Sequence, residues 1–128
     1  MKEEDLLDPL KRSFKRKGFK VRTEVPILGS VIDIYCYNPK TRKTIAIEAK
    51  IKNWKEALDQ ALFYRYCAES VYIAMPKRYI HRAEKKKHLF QSNGSGLLSV
   101  NKRVLKAIDA KKSTYIDKLF TKRILERA

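Results

Sequence analysis

Cysteine, glycine, proline, tryptophan and acidic side chains are all scarce in this chain. Its 128 residues hold two cysteines, four glycines, four prolines and one tryptophan, with 14 Asp+Glu against 30 Lys+Arg. Cys36 and Cys67 have no metal-ligand spacing and are too few for a disulfide framework, which predicts buried free thiols in a reducing compartment. His81 and His88 have no Cys or acidic partner at ligand spacing, so no zinc site is expected. Asn93-Gly94-Ser95-Gly96 does not open a helix after a strand, which excludes a phosphate-cradling loop and predicts a turn. Neither a Ser/His/Asp nor a Cys/His arrangement is present. Apolar runs are all shorter than a membrane span, and no apolar signal core follows the charged N-terminus. These absences predict a soluble, cytoplasmic protein with no membrane partner.

What is present is positive charge on a foldable chain. The formal net charge is +16, with 44% apolar residues. The apolar fraction suits one packed domain spanning residues 1–128, without repeats, linkers or low-complexity segments. The charge predicts a polyanionic partner, nucleic acid before any other.

Read in order, Leu6, Leu7, Leu10 and Phe14 fall at helical spacing and predict an amphipathic helix over Glu3–Lys17. Pro9 places the start of its regular part near Asp8. Strands are expected at Lys20–Val25, Ser30–Tyr37 and Lys43–Ile51. The first two are separated by a turn at Pro26–Gly29, the second and third by Asn38–Arg42. Trp54–Cys67 reads as a well-buried helix, and Val71–Met75 as an interior strand. A basic helical segment is expected at about 77–91, then a strand at Leu97–Val100, with Val104–Ile108 extending the sheet. A last helix at about 115–125 would turn Ile116, Leu119, Phe120 and Ile124 inward. The pattern predicts an α/β fold: an antiparallel meander, a parallel strand reached through the Trp54–Cys67 crossover, and helices on both faces.

The second and third strands carry the chemistry. Placing Tyr37 opposite Thr44 puts Asp33 opposite Glu48 and Val31 opposite Lys50. The other face then holds Ile32, Ile34, Cys36, Ile45, Ile47 and Ala49, all apolar. Opposed carboxylates repel, and Asp is disfavoured inside a strand, so this register needs a compensating charge. A divalent cation such as Mg²⁺ supplies it and keeps waters for a phosphate. Lys50, on the face of Glu48, would position a water or stabilise developing negative charge. The plainer reading of the hairpin alone is an exposed polar face on which Lys50 neutralises Glu48.

Asp33, Glu48-x-Lys50 on the next strand and a helix carrying Gln60 together resemble the PD-(D/E)xK nuclease superfamily. That group includes restriction endonucleases and archaeal Holliday-junction resolvases. The resemblance runs from the first helix to about Met75, and Gly96–Val100 echoes a later strand. It implies a restriction-endonuclease-like core and a Mg²⁺-dependent DNA endonuclease, with Mn²⁺ as substitute. Asp33, Glu48 and the backbone carbonyl of Ala49 would be metal ligands. Lys50 would serve the attacking water, and Gln60 would join the site. Gln60-x-x-x-Tyr64 resembles a helix motif of several branches, which makes Tyr64 an accessory candidate. Some members add a first-helix acid, here Glu3 with Glu4 as runner-up; Glu24 is another possible site acid, or else a surface ion pair. Ile32 stands where the family name has Pro.

Lys77, Arg78, Arg82, Lys85, Lys86 and Lys87, interleaved with Tyr79, His81 and His88, are the candidate phosphate contacts. The expected activity is phosphodiester hydrolysis, structure-selective and serving repair, recombination or restriction, by a homodimer on DNA. The alternatives are a non-catalytic nucleic-acid-binding module on the same fold and a basic RNA-binding protein without a site.

Overall fold

A computed structural model describes residues 1–126. A 3-10 turn at Glu3–Leu6 leads into helix α1, Leu7–Arg16, so Pro9 sits within the first helical turn, where its missing N–H costs nothing. Gly18, at φ 94°, releases the chain into the first strand. Strands β1 (Lys20–Ile27), β2 (Ser30–Tyr37) and β3 (Thr44–Ala49) form the meander. Helix α2 (Trp54–Tyr64) crosses to β4 (Ser70–Pro76). Short helices α3 (His81–Glu84) and α4 (Lys87–Asn93) precede β5 (Gly96–Val100) and β6 (Val104–Ile108), and α5 (Lys118–Glu126) comes last.

The six strands lie in one sheet in chain order, β1 to β6. β1–β2, β2–β3 and β5–β6 pair antiparallel, and β3–β4 and β4–β5 parallel. The architecture is therefore α/β with a mixed sheet, as the pattern of elements predicted. No helix among the described residues is long and apolar enough to cross a membrane.

Alternation divides the core between the two faces of the sheet. Leu6, Leu10 and Phe14 pack on Ile34, Cys36, Ile45, Ile47, Tyr72, Ala74 and Leu98. Tyr35, Ala46 and Val71 face the opposite way, onto Ala61 and Tyr64 of α2 and Ile124 of α5. Ile73, Met75 and Leu97 meet Trp54, Leu58 and Phe90. Cys36 and Cys67 are free and buried.

The β2–β3 register is the expected one, with Tyr37 opposite Thr44 and Ile34 opposite Ile47. Ile32, however, belongs to the α2 side with Val25 and Ile27 rather than beside Ile34. The switch falls at Glu24, whose φ is 52°: Thr23 pairs with Ile34 and Val25 with Ile32, but Glu24 and Asp33 do not pair. A left-handed residue inside a strand re-aims the residues beyond it, carrying the end of the hairpin over α5. Its tip, Leu28-Gly29, has φ of 44° and 79°, both left-handed as a tight two-residue hairpin requires.

Three element expectations are corrected. The basic segment about 77–91 is not one helix but a 3-10 turn at Lys77–Tyr79, then α3 and α4, with Lys85 and Lys86 in the break. Arg82 would face Arg78, Lys85 and Lys86 at three- and four-residue spacing on a continuous helix, and only Ile80, Ala83 and Phe90 in this segment are buried to hold one. The last helix begins at Lys118 rather than 115, because Arg65 holds the preceding chain open by bonding Lys112 O and Tyr115 Oη. As a result Ile116 and Leu119 are exposed, while Phe120 and Ile124 turn inward.

Leu10 anchors α1 in the core with no exposed surface. Leu10→Ala should therefore cost about 2–5 kcal/mol in a urea melt. Leu105→Ala, at a 56% exposed position, should change stability by less than about 0.5 kcal/mol.

Candidate functional site

The site forms where the meander stops behaving as a regular sheet. Both β2 and β3 continue past the Ile34–Ile47 pair, but their ladder does not. Instead the backbone N–H of Ala49 donates to Asp33 Oδ2 at 2.8 Å. A side-chain oxygen thus takes the place of a ladder carbonyl, which explains how Asp is tolerated inside a strand.

Glu48, one residue before Ala49, points towards α2 and is buried. The hydroxyl of Tyr64 donates to Val31 O at 2.9 Å and lies 3.4 Å from Glu48 Oε1. α2 therefore pins the end of β2 and touches the carboxyl at the same time. The Asp33 and Glu48 carboxyls act on each other's ionisation, and neither is in an ion pair with Lys or Arg among the described residues.

Burial and the Asp33 charge together push Glu48 up to about 7, against the pull of Lys50. Burial also raises Asp33, opposed by the Ala49 N–H, and the charge of Glu3 adds to the rise. Tyr64 is pushed up to about 12, by burial first and the Glu48 charge second. The pair thus resists double ionisation, as neighbouring carboxyls shielded from water must.

Lys50 sits just beyond β3, its backbone N–H bonded to Ala74 O at 2.9 Å, and its charge lowers both acids. Glu3 lies on the 3-10 turn that packs against β3 and β4; it is exposed and reaches Asp33 through its field alone. Glu4 is also exposed and lies 4.0 Å from Lys2. Glu24 is exposed, and its charge is not among those acting on Asp33 or Glu48, although it falls beside Asp33 along the sheet. Gln60 lies one turn before Tyr64 on the same face of α2. Its Oε1 is shielded from solvent and has no hydrogen-bond partner.

For a cation the described residues offer two carboxylates and no cluster of three or more His, Cys, Asp or Glu. The donor set is all hard oxygen: Asp33 Oδ1, the Glu48 carboxylate and nearby carbonyls, with the unpartnered Gln60 amide one helical turn from Tyr64. Such donors suit Mg²⁺ or Mn²⁺, which use few protein ligands and keep their waters.

The basic residues divide. Arg78 and Arg82 line a cavity of about 370 Å³ with Lys52, Trp54 and Tyr79. Arg82, Lys85 and Lys86 line a neighbouring one of about 380 Å³ with Lys52, Trp54 and Lys55. Lys77 and Lys87 are exposed and line neither of these cavities. Lys52 and Lys55 are not among the candidates read from the sequence. The run Lys50-Ile51-Lys52-Asn53-Trp54-Lys55, cations interleaved with an aromatic, is the signal that would have found them.

No family model matches the chain, and no curated protein does. Among solved structures it is similar to a protein of unknown function from Silicibacter pomeroyi, with 18% identity and a TM-score of 0.75, covering 98% of this chain and 83% of that one. The likeness is one of fold.

The titration of Glu48 has a sign that can be measured. Its folded value of about 7 lies above the ordinary 4.5, so the folded protein holds the proton more tightly than the unfolded chain. That stabilisation is complete below about 4.5 and lost as pH rises through about 7, and the rise in Asp33 acts in the same direction. In chelator, thermal melts should show stability falling across this window by up to about 1.4 kcal/mol per pH unit. Glu48→Gln should flatten the dependence.

Proposed function

We propose that the protein is a metal-dependent endonuclease of the restriction-endonuclease-like type, hydrolysing phosphodiester bonds in DNA. The observation that carries this reading is the convergence of buried Glu48, at the carboxyl end of β3, and half-buried Asp33, on the antiparallel neighbour β2, beside Lys50, with neither acid in an ion pair among the described residues. A purely structural acid pair would be expected to sit in an ion pair with Arg or Lys. The carboxyl ends of parallel strands are also where α/β sheets place ligands.

In this reading Asp33, Glu48 and the carbonyl of Ala49 would hold Mg²⁺ or Mn²⁺, which would neutralise the acids and polarise a phosphate oxygen. The Ala49 N–H fixes one Asp33 oxygen and leaves the other for the cation. Tyr64 holds Glu48 against the sheet. Gln60 brings an amide oxygen without a protein partner. Lys50 would orient the attacking water, whose oxygen bonds to phosphorus as the bond to the leaving sugar oxygen breaks; the water gives up a proton to solvent, and the leaving oxygen takes one up from solvent to become a hydroxyl. Cutting both strands of a duplex takes two such sites, hence a homodimer. The same fold as a non-catalytic binder of nucleic acid is the second reading, favoured by the absence of a third carboxylate ligand among the described residues.

Cleavage should be assayed on duplex, single-stranded, flapped and four-way-junction DNA with Mg²⁺, Mn²⁺ or chelator. Asp33→Ala and Lys50→Ala should each lower the rate by about 10²-fold or more. Activity that survives both would remove the site assignment. Replacing Lys85, Lys86 and Lys87 together should weaken DNA binding and flatten its salt dependence by about 0.9 in log–log slope per lost phosphate contact, with Mn²⁺ binding unchanged.

A further inference from the structure

Two concavities meet at the start of α2. The first, about 370 Å³, is walled by Lys52, Trp54, Arg78, Tyr79 and Arg82. The second, about 380 Å³, shares Lys52, Trp54 and Arg82 and adds Lys55, Lys85 and Lys86. With three walls in common they form one trough, and each half has the volume of a small-molecule site. The trough begins two residues beyond Lys50 and includes Met75, next to the Ala74 carbonyl that holds the Lys50 N–H. Asp33, Glu48 and Lys50 do not line it; the short segment from Lys50 to Lys52 links it to the acid pair.

Six cations line this trough, and none of them is in an ion pair with a carboxylate among the described residues. Like charges gathered without a counter-charge await an anion. The aromatic groups narrow the choice of anion. Lys52 Nζ and the Arg78 guanidinium approach the half-buried Tyr79 ring at 5.5 and 5.4 Å from its centroid. Trp54 is stacked on Phe90 at 5.5 Å, which makes a rigid wall. A ring set among phosphate-binding cations is the arrangement that takes a base and its flanking phosphates together. A duplex presents phosphates on a convex rail and keeps its bases stacked inside, so it cannot fill a concave, aromatic-walled compartment.

We propose that this trough binds unpaired nucleic acid, stacking a base on Tyr79 and holding its phosphates with Lys52, Arg78 and Arg82. The inference rests on the nuclease reading for its purpose: an unpaired strand seated here and continuing along the Lys52–Lys50 segment would bring a phosphate to the acid pair, so the substrate is DNA carrying a single-stranded segment near the cut. The binding itself needs no catalysis.

The test is fluorescence anisotropy on the wild-type protein in chelator, with an oligothymidylate, a blunt duplex of equal length and an acidic peptide as competitor. Oligothymidylate should bind more tightly than the duplex, and the peptide should compete poorly. Tyr79→Ala should weaken oligothymidylate binding about 5- to 150-fold, the range for one lost base stack, and leave the duplex unaffected. Tyr79→Phe should retain affinity, and because it preserves packing it separates stacking from misfolding. Duplex binding as tight as the single strand, equal losses for both with Tyr79→Ala, or loss with Tyr79→Phe in a protein of unchanged melting temperature would each overturn the proposal. Failure of cleavage with this selectivity intact would overturn the nuclease reading alone.

Discussion

The hydrogen bond from the Ala49 N–H to Asp33 Oδ2 is the interaction around which the rest of the site is arranged. At that level the sheet loses both of its regular pairings: β1 does not pair through Glu24, and β2 does not pair through Asp33 with β3. One carboxylate oxygen satisfies the exposed donor, and the strands separate without an orphaned amide. The separation lets the end of the β1–β2 hairpin swing over α5, and it leaves Glu48 facing Tyr64 rather than a neighbouring strand.

The charges of the molecule are sorted by location. Bases line the surface and the trough, while Glu48 is buried at the carboxyl end of β3 and Asp33 is half-buried beside it on β2. A chain of net charge +16 can keep two carboxyls together without an ion pair because the sheet and α2 exclude its lysines from them, apart from Lys50. What remains is a strained electrostatic arrangement, with Glu48 raised to about 7. A hard cation or a proton relieves it equally well in kind, so the same pair ties stability to whatever charge it holds.

Much of this architecture was legible in local pattern. Ser30–Tyr37 was read to the residue, and the pairing of Tyr37 with Thr44 came from alternation alone, since a slip of one would have buried the wrong set. The crossover through α2 and the closeness of Asp33, Glu48 and Lys50 came with it. The switch of Ile32 to the other face was not legible, because it comes from one left-handed residue, Glu24, whose side chain carries no such preference. Nor was the broken segment at 77–91, where helical propensity is uniform and only the sparse burial decides where helices survive.

By itself the sequence determined the order of the strands, the β2–β3 register as far as Ile34 and Ile47, the excess of positive charge and the nearness of Asp33 to Glu48. All of these depend on periods of two and 3.6 and on residue type. Tertiary structure alone decided that Glu48 is buried against Tyr64, that Glu3 acts only through its field, and that Lys52 and Lys55 meet Arg78 and Arg82 across a trough. Those outcomes depend on distances between segments far apart in the chain, and no local period encodes them.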